Sequence, residues 1–239
     1  MSIQHRSVEY HDGDTLLEGY LAYDDQYREP RPGIIIAPTW RGRSTLECRR
    51  AEQLAGLGYI GFALDMYGKG QLGNSPRENS RMMQPLMDNR ATLQQRMTRA
   101  LDVARTQTEV DAGKMAVMGY CFGGLCALDL ARTGADLRGA ISFHGLFDAP
   151  DNIATPDFKA SILCLDGHDD PMTSNDKVVA LQRELTDAGA DWQLHTYGNT
   201  LHGFTNPEAD MPERGIKYNA VADRRSWRAL ESFLAEVFA

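Results

Sequence analysis

Short, continuous apolar runs alternate along this chain with stretches in which apolar residues recur every three or four positions. Gly33-Ile34-Ile35-Ile36-Ala37, Tyr59-Ile60-Gly61-Phe62-Ala63-Leu64, Met115-Ala116-Val117-Met118, Gly139-Ala140-Ile141-Ser142-Phe143 and Ile162-Leu163-Cys164-Leu165 are of the first kind. They predict strands buried on both faces, and Trp192 to Tyr197 predicts a last one. Helical spacing joins Ala51, Leu54 and Ala55 within residues 46–57, with Gly58 as the stop. It also joins Leu93, Met97, Leu101 and Ala104; Leu125, Leu128 and Ala131, ahead of Gly134; Val178, Leu181 and Leu185; and Trp227, Leu230, Leu234 and Val237. Residues 7–23 alternate around His11-Asp12-Gly13-Asp14 and predict a hairpin. Residues 68–80, rich in Gly, Asn and Ser, predict a loop.

Strands that alternate with helices imply a mostly parallel central sheet with helices on both faces. The leading hairpin adds an antiparallel N-terminal edge. No Ser/Gly/Pro-rich linker or internal repeat divides the chain, so residues 1–239 are expected to form a single α/β domain. A net charge of −8, with both signs mixed along the sequence, excludes the basic stripe of a nucleic-acid surface. The first residues hold no apolar signal-peptide core, and the longest apolar runs have strand length. A cytoplasmic protein that does not enter membranes is expected. Cysteines 48, 121, 126 and 164 show neither C-x-x-C pairing nor metal-ligand spacing. No metal and no cofactor is expected; a set built from His144, His168, Asp169 and Asp170 has no spacing that requires one.

The chemistry is concentrated at Gly119-Tyr120-Cys121-Phe122-Gly123, between a predicted strand and a predicted helix. This reads as a G-x-nucleophile-x-G elbow with cysteine as nucleophile. A sulfur at a helix N-terminus is favoured as thiolate by the helix dipole. Cys48, Cys126 and Cys164 fall inside predicted elements and read as structural.

A thiol nucleophile needs a base, and the base needs a group that fixes its tautomer. Ligand chemistry in an open α/β sheet gathers at the carboxyl ends of the strands. His5 and His11 belong to the hairpin and His195 lies within a strand. His144, His168 and His202 follow strands, and only His202 lies after the last one, where chain order places the base of an α/β-hydrolase. In Gly167-His168-Asp169-Asp170-Pro171 the spacing favours Asp170 over Asp169 as the orienting acid. Two N–H groups are expected to form the oxyanion hole. One belongs to Phe122, after the nucleophile; the other is assigned to Trp40, in Pro38-Thr39-Trp40-Arg41-Gly42.

These segments, together with Asp65-Met66-Tyr67-Gly68, Phe143-His144-Gly145 and His202-Gly203-Phe204-Thr205-Asn206-Pro207, resemble the dienelactone hydrolase family of α/β-hydrolases over nearly the whole chain. The resemblance implies hydrolysis of a small lactone or carboxylic ester through a thioester, with Cys121 as nucleophile, His202 as base and Asp170 as its orienter. The alternatives are a short-chain esterase or thioesterase, or a binding protein that keeps the fold without the chemistry. Thr39 stands where the family carries a glutamate, and Lys69 and Asn206 stand at the positions read as its two substrate arginines. Lys69, Arg41 and His144 are the candidate substrate contacts. The only partner expected is a small-molecule ester or lactone, and the sequence gives no oligomeric state.

Overall fold

The structure is a computed structural model that describes residues 2–239. The chain packs into two compact units, one ending at Met118 and the other beginning at Gly119.

The first unit opens with β1 (Ile3–Asp12) and β2 (Thr15–Asp24), an antiparallel hairpin that turns at Asp12 and Thr15. β3 (Arg31–Ala37), α1 (Thr45–Gly56) and β4 (Ile60–Ala63) follow. β3 and β4 pair in parallel, while β2 pairs antiparallel to β4. Ile34, Ile35, Ile36 and Ala37 are completely buried, as a strand covered on both faces requires. On α1, Ala51, Leu54 and Ala55 form the buried face that their spacing predicts. Ser44 and Glu47 start this helix as a capping box, each side chain bonded to the backbone of the other.

The expected loop over 68–80 is shorter than the composition suggests. α2 (Pro76–Asp88) begins inside it, and Asn89 separates α2 from α3 (Arg90–Arg105). Ser75 Oγ accepts the Glu78 amide at 3.3 Å, and Pro76 occupies the first helical turn, where its missing N–H costs nothing. Asn89 ends one helix and caps the next, accepting the Thr92 amide at 3.1 Å. Leu93, Met97, Leu101 and Ala104 of α3 are buried as predicted.

β5 (Val110–Tyr120) crosses the boundary between the units, and the second unit continues with α4 (Phe122–Arg132), β6 (Gly139–Phe143) and β7 (Ser161–Gly167). α5 (Asn175–Asp187), β8 (Trp192–Tyr197), the short pair β9 (Asp210–Met211) and β10 (Ile216–Lys217), and α6 (Ala220–Val237) complete it. The sheet order is β1-β2-β4-β3-β5 through the first unit and β5-β6-β7-β8 through the second. β6, β7 and β8 are parallel, so the sheet is mostly parallel with an antiparallel N-terminal edge. Two helix faces differ in detail from their predicted spacing. Trp227 and Val237 of α6 are only half-buried, and Ala222, Ser226, Leu230, Phe233 and Leu234 form the covered stripe. On α5, Leu181 and Leu185 are buried and Val178 lies at the flank.

One charged cluster ties α4 to α5. Arg132, completely buried, donates from Nε and Nη2 to both Glu184 oxygens at 2.7 Å, and from Nη1 to Asp129 at 3.1 Å. Removing one member of such a group strands the others without compensation. Arg132→Ala is therefore expected to lower unfolding stability by about 3–5 kcal/mol, read as a shifted urea midpoint.

Candidate active site

The second unit builds its site around the end of β5. Cys121 has φ 56° and ψ −117°, a conformation that L-residues rarely adopt and that costs roughly 1–3 kcal/mol. Its surroundings impose it. The Cys121 amide donates to the Phe143 carbonyl at 3.0 Å, while the Cys121 carbonyl accepts from the Gly124 amide at 3.0 Å as α4 begins. The bend brings Gly119 so close to Gly123 that a Cβ would overlap the Gly123 carbonyl. On α4, a Cβ at Gly124 would lie 2.6 Å from Ser142 Oγ. Cys121 is thus half-buried at the N-terminus of α4, whereas Cys126 and Cys164 are sealed. Burial pushes the Cys164 thiol up to about 12, which leaves it inert near neutral pH.

Two later loops reach this point. After β7, the two aspartates separate: Asp169 is exposed and Asp170 is buried. Asp170 Oδ1 accepts the Met172 amide at 2.8 Å, and Oδ2 accepts from His202 Nδ1 at 2.7 Å. His202 follows β8 and is held by its backbone, with its amide donating to Gly215 at 2.9 Å and its carbonyl accepting from Lys217 at 3.0 Å. Burial disfavours a charged imidazole here. Opposing it are the charge of Cys121 and the hydrogen bond and charge of Asp170; together they push His202 up to about 10. The structure therefore joins His202 to Asp170 by a hydrogen bond and sets Cys121 near enough to act electrostatically on the same ring.

His144, a candidate substrate contact, lies beside His202. It is buried at φ 37°, with Nε2 at 2.8 Å from Thr205 Oγ1 and its ring edge-on to His202 at 5.1 Å between centroids. Its bond to Thr205 anchors it to the loop that carries His202. His168 and His195 are exposed. Among the described residues, no group of three His, Cys, Asp or Glu is arranged to hold a metal.

In the first unit, the Trp40 carbonyl accepts the Tyr67 hydroxyl at 3.0 Å. Arg41, a candidate substrate contact, is half-buried and donates from Nε to the Gly73 carbonyl at 2.9 Å. Lys69 pairs with Glu9 and lies 3.8 Å from Glu18. Two residues went unread in the sequence. Glu47 is fully buried and accepts the Thr39 amide at 3.2 Å and the Ser44 amide at 2.8 Å. A carboxylate thus reaches the loop at Thr39 from α1; burial raises its pKa against the hydrogen bonds of Ser44 and the backbone. Arg81, on α2, joins Lys69 and Arg96 in the wall of a cavity of about 960 Å³ with Leu16, Met82 and Leu86.

The sequence model of the dienelactone hydrolase family matches residues 17–238. The chain belongs to that family. A solved structure described as a dienelactone hydrolase-like promiscuous phosphotriesterase from metagenomic libraries is 35% identical, with a TM-score of 0.94 and 100% of both chains covered. An uncharacterized protein of Caenorhabditis elegans is 36% identical over 155 residues, 64% of this chain and 98% of that one. A protein of Aquifex aeolicus named as a putative carboxymethylenebutenolidase is 24% identical over 208 residues, 85% of this chain and 88% of that one. Family membership makes this an α/β-hydrolase that acts on a small molecule. No helix among the described residues is long and apolar enough to cross a membrane.

The raised basicity of His202 has a signed consequence for stability. The contribution of its protonated form is complete below the unperturbed value of about 6.5 and is lost as pH rises through about 10. Urea unfolding of the wild type and His202→Gln between pH 6 and 10.5 is expected to give a gap that narrows toward the alkaline end. A constant gap would place the ring's titration elsewhere.

Proposed function

We propose that this protein is a cysteine-dependent hydrolase of small lactones or carboxylic esters, working through a thioester acyl-enzyme within a single domain over residues 1–239. The observation that carries the reading is the cluster itself: Asp170 2.7 Å from His202 Nδ1, and Cys121 placed to act electrostatically on the same imidazole. The high basicity of His202 supports a resting state in which the ring already holds the thiol proton and the sulfur is a thiolate. Attack of Sγ on the acyl carbon forms the C–S bond and moves the carbonyl electron pair onto oxygen. The oxyanion would be held by the N–H groups of Phe122 and Trp40, and loss of one such donor typically costs about 10²–10³ in rate.

Collapse of this intermediate breaks the C–O bond. The departing alkoxide takes the proton from His202, and in a lactone it stays tethered to the acyl group. His202, neutral again, then accepts a proton from water as the water oxygen attacks the thioester carbon. The thiolate leaves, the acid is released, and the imidazolium–thiolate pair is restored. General acid–base help of this kind is worth about 10²–10⁴. Asp170 keeps Nδ1 protonated, so that Nε2 is the nitrogen that exchanges protons with sulfur, alkoxide and water.

Full-length similarity at 35% identity to a promiscuous phosphotriesterase supports a second activity, attack of the same thiolate on a phosphotriester. A p-nitrophenyl phosphotriester assayed beside carboxylic esters tests it.

Cys121→Ala and His202→Ala are expected to abolish hydrolysis of short p-nitrophenyl esters and of lactones, while Cys164→Ala turns over nearly as the wild type does. Asp170→Asn is expected to be crippled and Asp169→Asn mildly affected. Equal rates for Cys121→Ala and wild type would end the mechanism, and an inert Cys121 toward iodoacetamide near neutral pH would favour a binding protein.

A further inference from the structure

Asp166, a buried carboxylate four residues before Asp170, has no part in the steps above. It is the penultimate residue of β7, pairs in register with Thr196 of β8, and is 2% exposed. Its Oδ1 accepts the Thr173 hydroxyl at 2.8 Å, and Thr173 is itself buried. Between these two residues lies the turn that presents Asp170. The turn is stitched by Asp170 N–H to the Gly167 carbonyl at 3.0 Å and Thr173 N–H to the Asp170 carbonyl at 3.3 Å. Outside contacts add His168 N–H to Tyr197 at 2.9 Å and Asp169 N–H to Thr200 at 3.0 Å. The Asp166–Thr173 bond closes this turn across its base.

A neutral amide could accept the Thr173 hydroxyl as well. Burying an ionisable carboxyl where a neutral group would serve is costly, so its charge needs an explanation. Asp170 and His202 both act electrostatically on Asp166, and the imidazolium favours its ionised form. We infer that Asp166 is a positioning residue of the Cys121–His202–Asp170 group: it closes the turn that presents Asp170 and supplies a second negative charge that sustains the His202 imidazolium. The inference rests on the reading of that group given above.

After burial and the Thr173 hydrogen bond, the charged groups that act on Asp166 are Asp170 first and His202 next. β6 has no titratable side chain between Gly139 and Phe143, and β8 offers His195 and Tyr197 on either side of Thr196. Cys164, two residues earlier on β7, is held neutral by burial. Burial raises Asp166 to about 6, opposed by the Thr173 hydrogen bond and reinforced by the charge of Asp170. Its charge therefore changes near pH 6. Above the midpoint the anion strengthens His202 as a base. Below it the anion is lost, and the imidazolium–thiolate pair weakens.

The test compares wild type, Asp166→Asn and Thr173→Val. The first measurement is the ¹⁵N titration of the His202 ring, which needs no turnover; the second is kcat/KM on a short p-nitrophenyl ester from pH 5 to 9. Asp166→Asn keeps the hydroxyl acceptor and removes the charge. It is expected to lower the His202 pKa by about half a unit or more and to erase an acid-side inflection near 6. Thr173→Val is expected to reduce kcat while keeping that inflection. Superimposable His202 titrations and pH profiles for wild type and Asp166→Asn would overturn the proposal. If Asp166→Asn does not fold, ¹³C titration of the Asp166 carboxyl in the wild type decides: a midpoint near 6 supports the role, and one near about 4 overturns it. Full turnover by Cys121→Ala would sink the thioester mechanism separately, leaving the His202 titration to decide Asp166.

Discussion

A backbone bent into a left-handed conformation at a cysteine is the constraint around which the second unit is organised. The bend at Cys121 is unfavourable alone and persists because three features leave no alternative. β5 must end there, α4 must begin at Phe122, and the Cys121 amide must find an acceptor, which β6 supplies at Phe143. Gly119 and Gly124 follow as consequences, because the closeness of Gly123 to one and of Ser142 to the other excludes any side chain. The sulfur comes to rest at a helix N-terminus because of this geometry, so its placement follows from satisfying hydrogen bonds at a tight turn.

Around it, buried acids are handled in three distinct ways. Asp170 is held against the His202 ring and one backbone amide. Asp166 has a hydroxyl partner and shares the imidazolium electrostatically. Glu47, in the first unit, is surrounded by backbone amides and a serine and serves the start of α1 and the loop at Thr39. The chemical type is the same in each case, and the partners decide whether the group faces an imidazole, a hydroxyl or a set of backbone amides.

Much of this was legible in the residues. The apolar run at Ile34 to Ile36 and the periodicity of α1, α3 and α4 mark the elements because burial follows local pattern there. Pattern alone misled where composition outweighed chemistry. The polar run after Gly68 hides the Ser75-Pro76 helix start, and with it the placement of Arg81. The partner of His144, Thr205, lies sixty-one positions later, so nothing around the strand end announces it. Asp166 and Glu47 carry no local signal, since the burial of a carboxylate depends on partners that only the folded chain assembles.

The cavity of the first unit departs from the charge of the whole molecule. At a net charge of −8 the protein repels anions at long range, yet three cations face this hollow. Glu9 and Glu18 balance Lys69, and Asp12 balances Arg96, whereas no ion pair is formed by Arg81 among the described residues. The attraction it exerts on an incoming anion must therefore operate against an unfavourable far field over short range. Added salt weakens both influences, but with a Debye length of about 8 Å at physiological ionic strength it suppresses the distant repulsion first. Moderate salt should thus ease the entry of anions into this hollow, contrary to the usual expectation for a cationic pocket.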